Sequence, residues 1–219
     1  MKESDMNILI IGAGGHSRSV MDIILRNGEY RILGCTDKHY GERSSVEFME
    51  DIAIIGSDDM FGFFYEKGTK KAFVALGNND LRERIYNKAK AIGFEMISII
   101  SRDAIISPRA HIGEGVCVMA GAVVNVNATI GNNSIINTNC CIDHDCTIGT
   151  NCHIAPGVSL SGCVNVGDNV QIGTGASVID NITIGKASYI GAGSAVVNDI
   201  PENVLAYGVP ARKVRSIND

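Results

Sequence analysis

From Ile106 to Pro201 the sequence repeats every six residues, without a break, for sixteen units. The first position of each unit is aliphatic, from Ile106, Ile112 and Val118 through Ile142 to Val196, and all but Leu160 are β-branched. The fourth position is Gly, Asn or Asp in thirteen units, the residues that tolerate a left-handed backbone. The fifth is Ala, Val, Ser, Cys or Ile. A slower period lies above this one, because Gly113, Gly131, Gly149, Gly167 and Gly185 are each 18 residues apart. Three hexads per 18-residue turn describe a triangular prism with one strand and one corner per hexad. The aliphatic residue fills the interior and the small fifth residue eases the corner. One hexad cannot bury its apolar face alone, so the stack is a parallel β-helix.

Neither position has room for a ring. Of the twelve aromatics, none of them Trp, ten precede residue 95, and Tyr189 is the only one between 96 and 201. That shift sets a domain boundary near 100–105 and divides the 219 residues into 1–102 and 103–219. The first part alternates strand-like and helix-like segments. Asn7 to Ile11 reads as a strand running into Gly12-Ala13-Gly14-Gly15. Ser17 to Asn27 reads as a helix, with Val20, Ile23 and Ile24 at helical spacing and Gly28 as its C-cap. Further strands are expected at Arg31–Thr36, Ile52–Ile55, Ala72–Leu76 and Met96–Ile100, and a second helix at Asp80–Ala91, closed by Gly93. Such alternation implies a parallel sheet of the Rossmann-like kind.

Charge and cysteine usage narrow the function classes. With 19 Lys and Arg against 24 Asp and Glu, a net charge of -5 and a pI near 5.5, the chain has no basic face for nucleic acid. No apolar run approaches the roughly 18 residues of a membrane span. The N-terminal stretch lacks the pattern of a signal peptide. Seven Cys without zinc-type CxxC pairing read as reduced cytoplasmic thiols. Cys140, Cys146 and Cys152 hold consecutive fifth positions, which corner packing explains.

His144 is the first candidate for chemistry. It takes the third position of its hexad, beside the corner, where its side chain should point outward. A neutral imidazole, with an ordinary pKa of about 6.5, can accept a proton from an attacking amine or hydroxyl. A solvated corner histidine is the alternative. Asp145 follows at the fourth position, where it serves either as the carboxylate that orients the imidazole or as a turn residue; Asp143 is a second possible partner. Adding 18 to 144 gives Gly162, which should stack one coil above His144, leaving open space and a bare N–H able to hold an oxyanion. A glycine accommodating a local bulge is the other reading. In the first domain, Gly12-Ala13-Gly14-Gly15-His16-Ser17 follows a strand and opens a helix, the context for holding phosphate on backbone N–H groups. Ser17 stands where a dinucleotide fingerprint has its third glycine. Asp37 ends the second strand and suits a ribose or base. Arg212, Lys213 and Arg215 near the end either neutralise nucleotide phosphates or form a solvated basic tail.

Four stretches, GAGGHS at 12–17, ALGNN at 75–79, IDHDCTIGTNCHIAPG at 142–157 and YGVPAR at 207–212, together resemble the bacterial hexapeptide-repeat sugar acetyltransferases. That group includes UDP-amino-sugar N-acetyltransferases and sialic acid O-acetyltransferases. The likeness spans nearly the whole chain. It implies an α/β Rossmann-like domain followed by an all-β left-handed parallel β-helix. It also implies acetyl-CoA as co-substrate with no metal, and a homotrimer with active sites between subunits. By this resemblance His144 is the catalytic base and Asp145 its acidic partner, while His153, Gly162, Thr174 and Ala192 contact acetyl-CoA. Gly14, Gly15, His16, Asp37, Gly77 and Asn78 would bind the sugar nucleotide. On spacing alone, His153 reads as an exposed loop-edge residue.

The expected reaction moves an acetyl group to the amino or hydroxyl group of a sugar, preferentially a nucleotide-linked amino sugar. Sialic acid O-acetylation and a non-catalytic sugar-nucleotide-binding scaffold are the alternatives. A zinc enzyme on the same prism would need about three histidines converging on the metal. His111 and His144 are 33 residues apart, not a multiple of 18, and should lie on different faces of one subunit, which leaves only a site shared between subunits.

Overall fold

The computed structural model describes residues 6–41, 47–49 and 52–217, and the chain divides into two compact units after Ile99. In the first unit β1 (Asn7–Ile11), α1 (Gly15–Asn27), β2 (Arg31–Thr36), β3 (Glu47–Met49), β4 (Ile52–Gly56), α2 (Phe61–Glu66), β5 (Lys71–Val74), α3 (Asn79–Ile92) and β6 (Glu95–Met96) follow in order. The sheet order is β3-β4-β2-β1-β5-β6. All neighbours are parallel except β3, which pairs antiparallel with β4. β1 lies between β2 and β5, and its Ile8, Leu9 and Ile10 are fully buried, which explains its unbroken aliphatic run. α1 stops at Gly28, where φ is 70° and the N–H returns to the Ile24 carbonyl. α3 stops at Gly93 with φ 112°.

Besides the short antiparallel β3, two features of this unit depart from expectation. α2, with Phe61 and Phe64 buried, is a six-residue helix too short to display a period. The strand expected over Met96–Ile100 is two strands: β6 ends at Met96, and Ile99–Ile100 forms a separate pair in another sheet. An apolar run of that length signals strand without saying which sheet each part joins.

The second unit is the prism. Its strands are two residues long, each made of the sixth position of one hexad and the first of the next. Face one stacks Cys117–Val118, Ile135–Ile136, His153–Ile154, Gln171–Ile172 and Tyr189–Ile190. Face two runs from Ile105–Ile106 through Val123–Val124, Cys141–Ile142, Ser159–Leu160 and Ser177–Val178 to Ala195–Val196. Face three holds His111–Ile112, Thr129–Ile130, Thr147–Ile148, Asn165–Val166 and Thr183–Ile184. Every partner is 18 residues away, so Ile142 sits between Val124 and Leu160. First positions from Val118 onward are at most 2% exposed and form one core with the fifth positions, Cys140, Cys146 and Cys152 among them.

Each fourth position from Gly115 to Gly193 has φ between 53° and 72°. Cys163 and Ala187 are included, although neither favours that region; the repeat imposes it at roughly 1–2 kcal/mol per residue. The glycines spaced by 18 have a packing reason. A Cβ on Gly131, Gly149 or Gly167 would come within 2.5–2.7 Å of backbone atoms in the next coil. Face one finishes in a hairpin: Val204–Gly208 pairs parallel with Tyr189–Ile190, and Ala211–Ser216 returns antiparallel.

Candidate active site

The three corners of the prism repeat the same backbone but carry different side chains. The corner between faces three and one is sealed. There Asn133 donates its amide to Asn151 at 2.8 Å, Asn151 donates to Asn169, and Asn133 and Asn151 are 3% and 2% exposed.

The corner between faces two and three carries His144. Asp145 follows it with φ 59° and uses its two carboxylate oxygens separately. Oδ1 accepts from Asn127 Nδ2 in the coil before at 3.0 Å, and Oδ2 lies 2.8 Å from His144 Nδ1. Turn formation and imidazole orientation are therefore not alternatives; one carboxylate does both. Holding Nδ1–H on the carboxylate assigns the tautomer that leaves Nε2 as proton acceptor. Asp143 is otherwise engaged, accepting from the His144 backbone N–H at 2.7 Å and from Asn125 at 3.0 Å. The hydrogen bond that Nδ1–H donates to Asp145, helped by the charge of Asp143, raises the His144 pKa above 6.5. Asn127, and then His144, hold the Asp145 carboxyl below its ordinary value.

Gly162 lies one coil above, as the 18-residue period requires. The space freed by its missing side chain is not open: a Cβ there would sit 2.5 Å from His144 Cε1 and 2.6 Å from Nε2. The imidazole itself fills the gap, lying against bare backbone. The Gly162 carbonyl accepts from Asn181, and its N–H has no acceptor among the described residues.

At the corner between faces one and two, the fourth positions after Asn139 are Gly157, Gly175 and Gly193, all left-handed. Nothing lies within 4 Å of a Cβ built on Gly175 or Gly193. The third positions there include Thr174 and Ala192, both exposed, so this edge is an open track of small residues. His153 is on face one, just before that corner. It is a half-buried strand residue, with Nε2 3.2 Å from Asn137 Nδ2, and not the loop-edge residue that spacing suggested. Sixth positions belong to the strand pairs. Within one chain, then, His144, Asp145 and Gly162 share one edge, while His153, Thr174 and Ala192 gather at another.

In the first unit a cavity of about 350 Å³ opens at the carboxyl ends of the strands, the usual ligand crevice of a doubly wound sheet. Gly14, exposed at the start of α1, and Asp37, after β2, line it. Ser17, in place of the third glycine, is buried and donates Oγ to the Gly14 carbonyl at 2.7 Å, closing the loop with a side chain. Gly15 and His16 form the first turn of α1 outside the cavity wall. Gly77 and Asn78 are likewise not on that wall. Gly77 offers its carbonyl to Arg82, and Asn78 caps α3 by accepting from Leu81 at 2.9 Å. Lys38, His39, Asp58 and Arg84 line the cavity and were not singled out from the sequence. Burial raises the Asp58 pKa, and the Thr36 hydroxyl bonds it at 3.3 Å. Asp58 follows β4 as Asp37 follows β2, so collecting the residues after each strand would have found it. Arg84, from the middle of α3, carries no such signal.

Residues 7–89 match the PglD N-terminal domain family, and residues 127–162 match the bacterial transferase hexapeptide (six repeats) family. A histidine-to-asparagine variant of perosamine N-acetyltransferase from Caulobacter crescentus, in complex with CoA and GDP-perosamine, is 38% identical. The alignment covers 96% of this chain and 97% of that one, with a TM-score of 0.90. The acetyltransferase domain of PglB from Neisseria gonorrhoeae FA1090, in complex with acetyl coenzyme A, is 34% identical over 95% of this chain and 99% of that one, with a TM-score of 0.89. An uncharacterized protein of Acanthamoeba polyphaga mimivirus is 33% identical over 109 residues, 49% of this chain, which spans only 20% of that protein. Fold and site together define an acyltransferase built on a left-handed parallel β-helix. The chain belongs to the hexapeptide-repeat sugar acetyltransferases, whose co-substrate is acetyl-CoA.

Proposed function

We propose that this protein transfers the acetyl group of acetyl-CoA directly to the amino group of a nucleoside-diphosphate-linked sugar. The observation that carries this reading is the His144–Asp145 pair, 2.8 Å apart, stacked on the bare backbone of Gly162. His144 Nε2 takes a proton from the sugar amine as its nitrogen attacks the thioester carbonyl carbon. Negative charge developing on the carbonyl oxygen is met by the Gly162 N–H. The carbon–sulfur bond then breaks, and the coenzyme A thiolate leaves with the proton held by His144. Asp145 supports the imidazolium in between. The amine is preferred over a hydroxyl because the perosamine N-acetyltransferase, in complex with CoA and GDP-perosamine, is similar over 96% of this chain. Gly14 and Asp37 would hold the nucleotide part in the cavity of the first unit, with Arg84 and Lys38 as additional cations for the diphosphate.

The donor would lie along the open track of Gly175 and Gly193, beside Thr174 and Ala192, with Arg212, Lys213 and Arg215 meeting its phosphates. That track and His144 occupy different edges of one prism, which supports a homotrimer whose sites combine one subunit's base with its neighbour's track. Among the described residues no helix is long and apolar enough to cross a membrane. Seven unpaired cysteines suit a reducing cytoplasm.

Thiol release from acetyl-CoA, measured across nucleotide-linked amino sugars and sialic acid, tests the reading. Turnover with an amino sugar is expected, and His144→Ala should lower it by about 10²–10⁴-fold while coenzyme A binding survives. Wild-type turnover by His144→Ala would sink the assignment, and turnover of sialic acid alone would replace the amine with a hydroxyl.

A further inference from the structure

Cys163 takes no part in the reaction above, and it is the one exposed thiol among the seven. It sits in the same column of left-handed corners as Asn127, Asp145 and Asn181, with φ 59°. The amides of this column donate from one coil to the next, as Asn127 does to Asp145, and Asp145, a carboxylate, ends that ladder. The thiol of Cys163 follows one coil on and adds a third ligand to a pair that already offers two. A ring nitrogen of His144, a carboxylate oxygen of Asp145 and the sulfur of Cys163 all lie within 4.8 Å of one another, the only such group among the described residues.

We propose that His144, Asp145 and Cys163 form an inhibitory site for a borderline-soft divalent ion, Zn²⁺ foremost, which captures the catalytic base. Nitrogen, oxygen and sulfur together are a zinc ligand set, whereas Mg²⁺ and Ca²⁺ prefer oxygen alone. An ion centred in such a triangle is within about 2.8 Å of each donor, and shifts of about 0.5–0.8 Å reach zinc bond lengths. The side chains of His144 and Asp145 are 51% and 49% exposed, so the ion enters from solvent. On binding, the Cys163 thiol gives its proton to water as the sulfur–metal bond forms. The ion beside Asp145 takes the Nδ1 lone pair, and the ring proton moves to Nε2, whose lone pair can then no longer accept the substrate proton. The ion is not a cofactor, because transfer needs that lone pair free.

Binding is independent of the acetyltransferase mechanism; inhibition rests on His144 being its base. Co²⁺ titrated into the full-length protein should produce thiolate-to-cobalt absorption in the near ultraviolet, with one ion per chain. Cys163→Gly, which suits the left-handed corner, and Cys163→Ser should both lose that band. Their Zn²⁺ affinity by calorimetry should fall by more than the roughly 10–100-fold that an outer-shell partner contributes. Both variants should keep acetyl transfer and resist Zn²⁺, while the wild type is inhibited and recovers with chelator. Absence of the band in the wild type, or unchanged Zn²⁺ affinity in both variants, would overturn the site. A band without inhibition would overturn its regulatory role. If no sugar is turned over even by the wild type, that counts against the proposed reaction, and the cobalt band still decides the site.

Discussion

The carboxylate of Asp145 joins two requirements that a sequence reader meets as rivals. Its left-handed φ of 59° satisfies the corner, and the same corner aims Oδ2 at His144. This has a measurable consequence for pH. As the proposed base, His144 acts when neutral, so kcat/KM should rise with pH through its pKa, which is raised above 6.5. In Asp145→Asn the main cause of the raised pKa is gone. The acid limb should therefore move to lower pH while kcat falls; a limb that stays or moves upward would separate it from His144. Position was legible in the sequence here because a strict period converts residue number into place: 144 and 162 had to stack. Side-chain conformation obeys no period. The sequence leaves open whether the room above Gly162 is empty or filled, and the imidazole fills it.

Secondary-structure elements were legible in proportion to how much pattern each contains. Sixteen hexads leave little choice, and α1 and α3, each more than three turns long, show their buried faces clearly. β3 and α2 have three and six residues and leave no period to read. Cavity residues divide the same way. Gly14 and Asp37 announce themselves by following strands in a Rossmann-like order, whereas Arg84 arrives from a helix through tertiary folding alone. The open edge offers a clean test at this scale. Gly175 has φ 68° and nothing near its absent Cβ, so Gly175→Asn should fold with Tm nearly unchanged. Its side chain would block the track, raising KM for acetyl-CoA by about tenfold or more, roughly 1.4 kcal/mol. An unchanged KM would move the donor elsewhere.

At the scale of the assembly, the two edges make opposite predictions for sites within one chain and sites between chains. In the proposed trimer, His144→Ala chains should assemble nearly inactive, and Gly175→Asn chains should lose about tenfold or more of the rate at acetyl-CoA well below its KM. Unfolded together and refolded as a mixture, they should regain part of the activity. In a mixed trimer, the base of the Gly175→Asn chain can face the unblocked track of the His144→Ala chain. Separately refolded controls, later combined, should show only the sum of their separate activities. No recovery in the mixed sample, with mixed trimers verified by mass, would place base and track in the same chain.

Strand pairing from hexad to hexad along the three faces joins residues 18 apart, so the length of the prism along its axis is quantised. The chain grows or shrinks by whole coils of about 4.8 Å, the spacing of neighbouring strands, and any other insertion turns interior residues outward. Both sides of the base are then held to a fixed count. A coil gained before His144 would shift the base a full step against the cavity of Gly14 and Asp37, proposed to hold the nucleotide. A coil gained between His144 and the terminal hairpin would shift Arg212 and Arg215, the cations proposed for the donor phosphates, by the same step against a molecule of invariant length. Lineages of this protein should keep the number of coils constant on either side of the base.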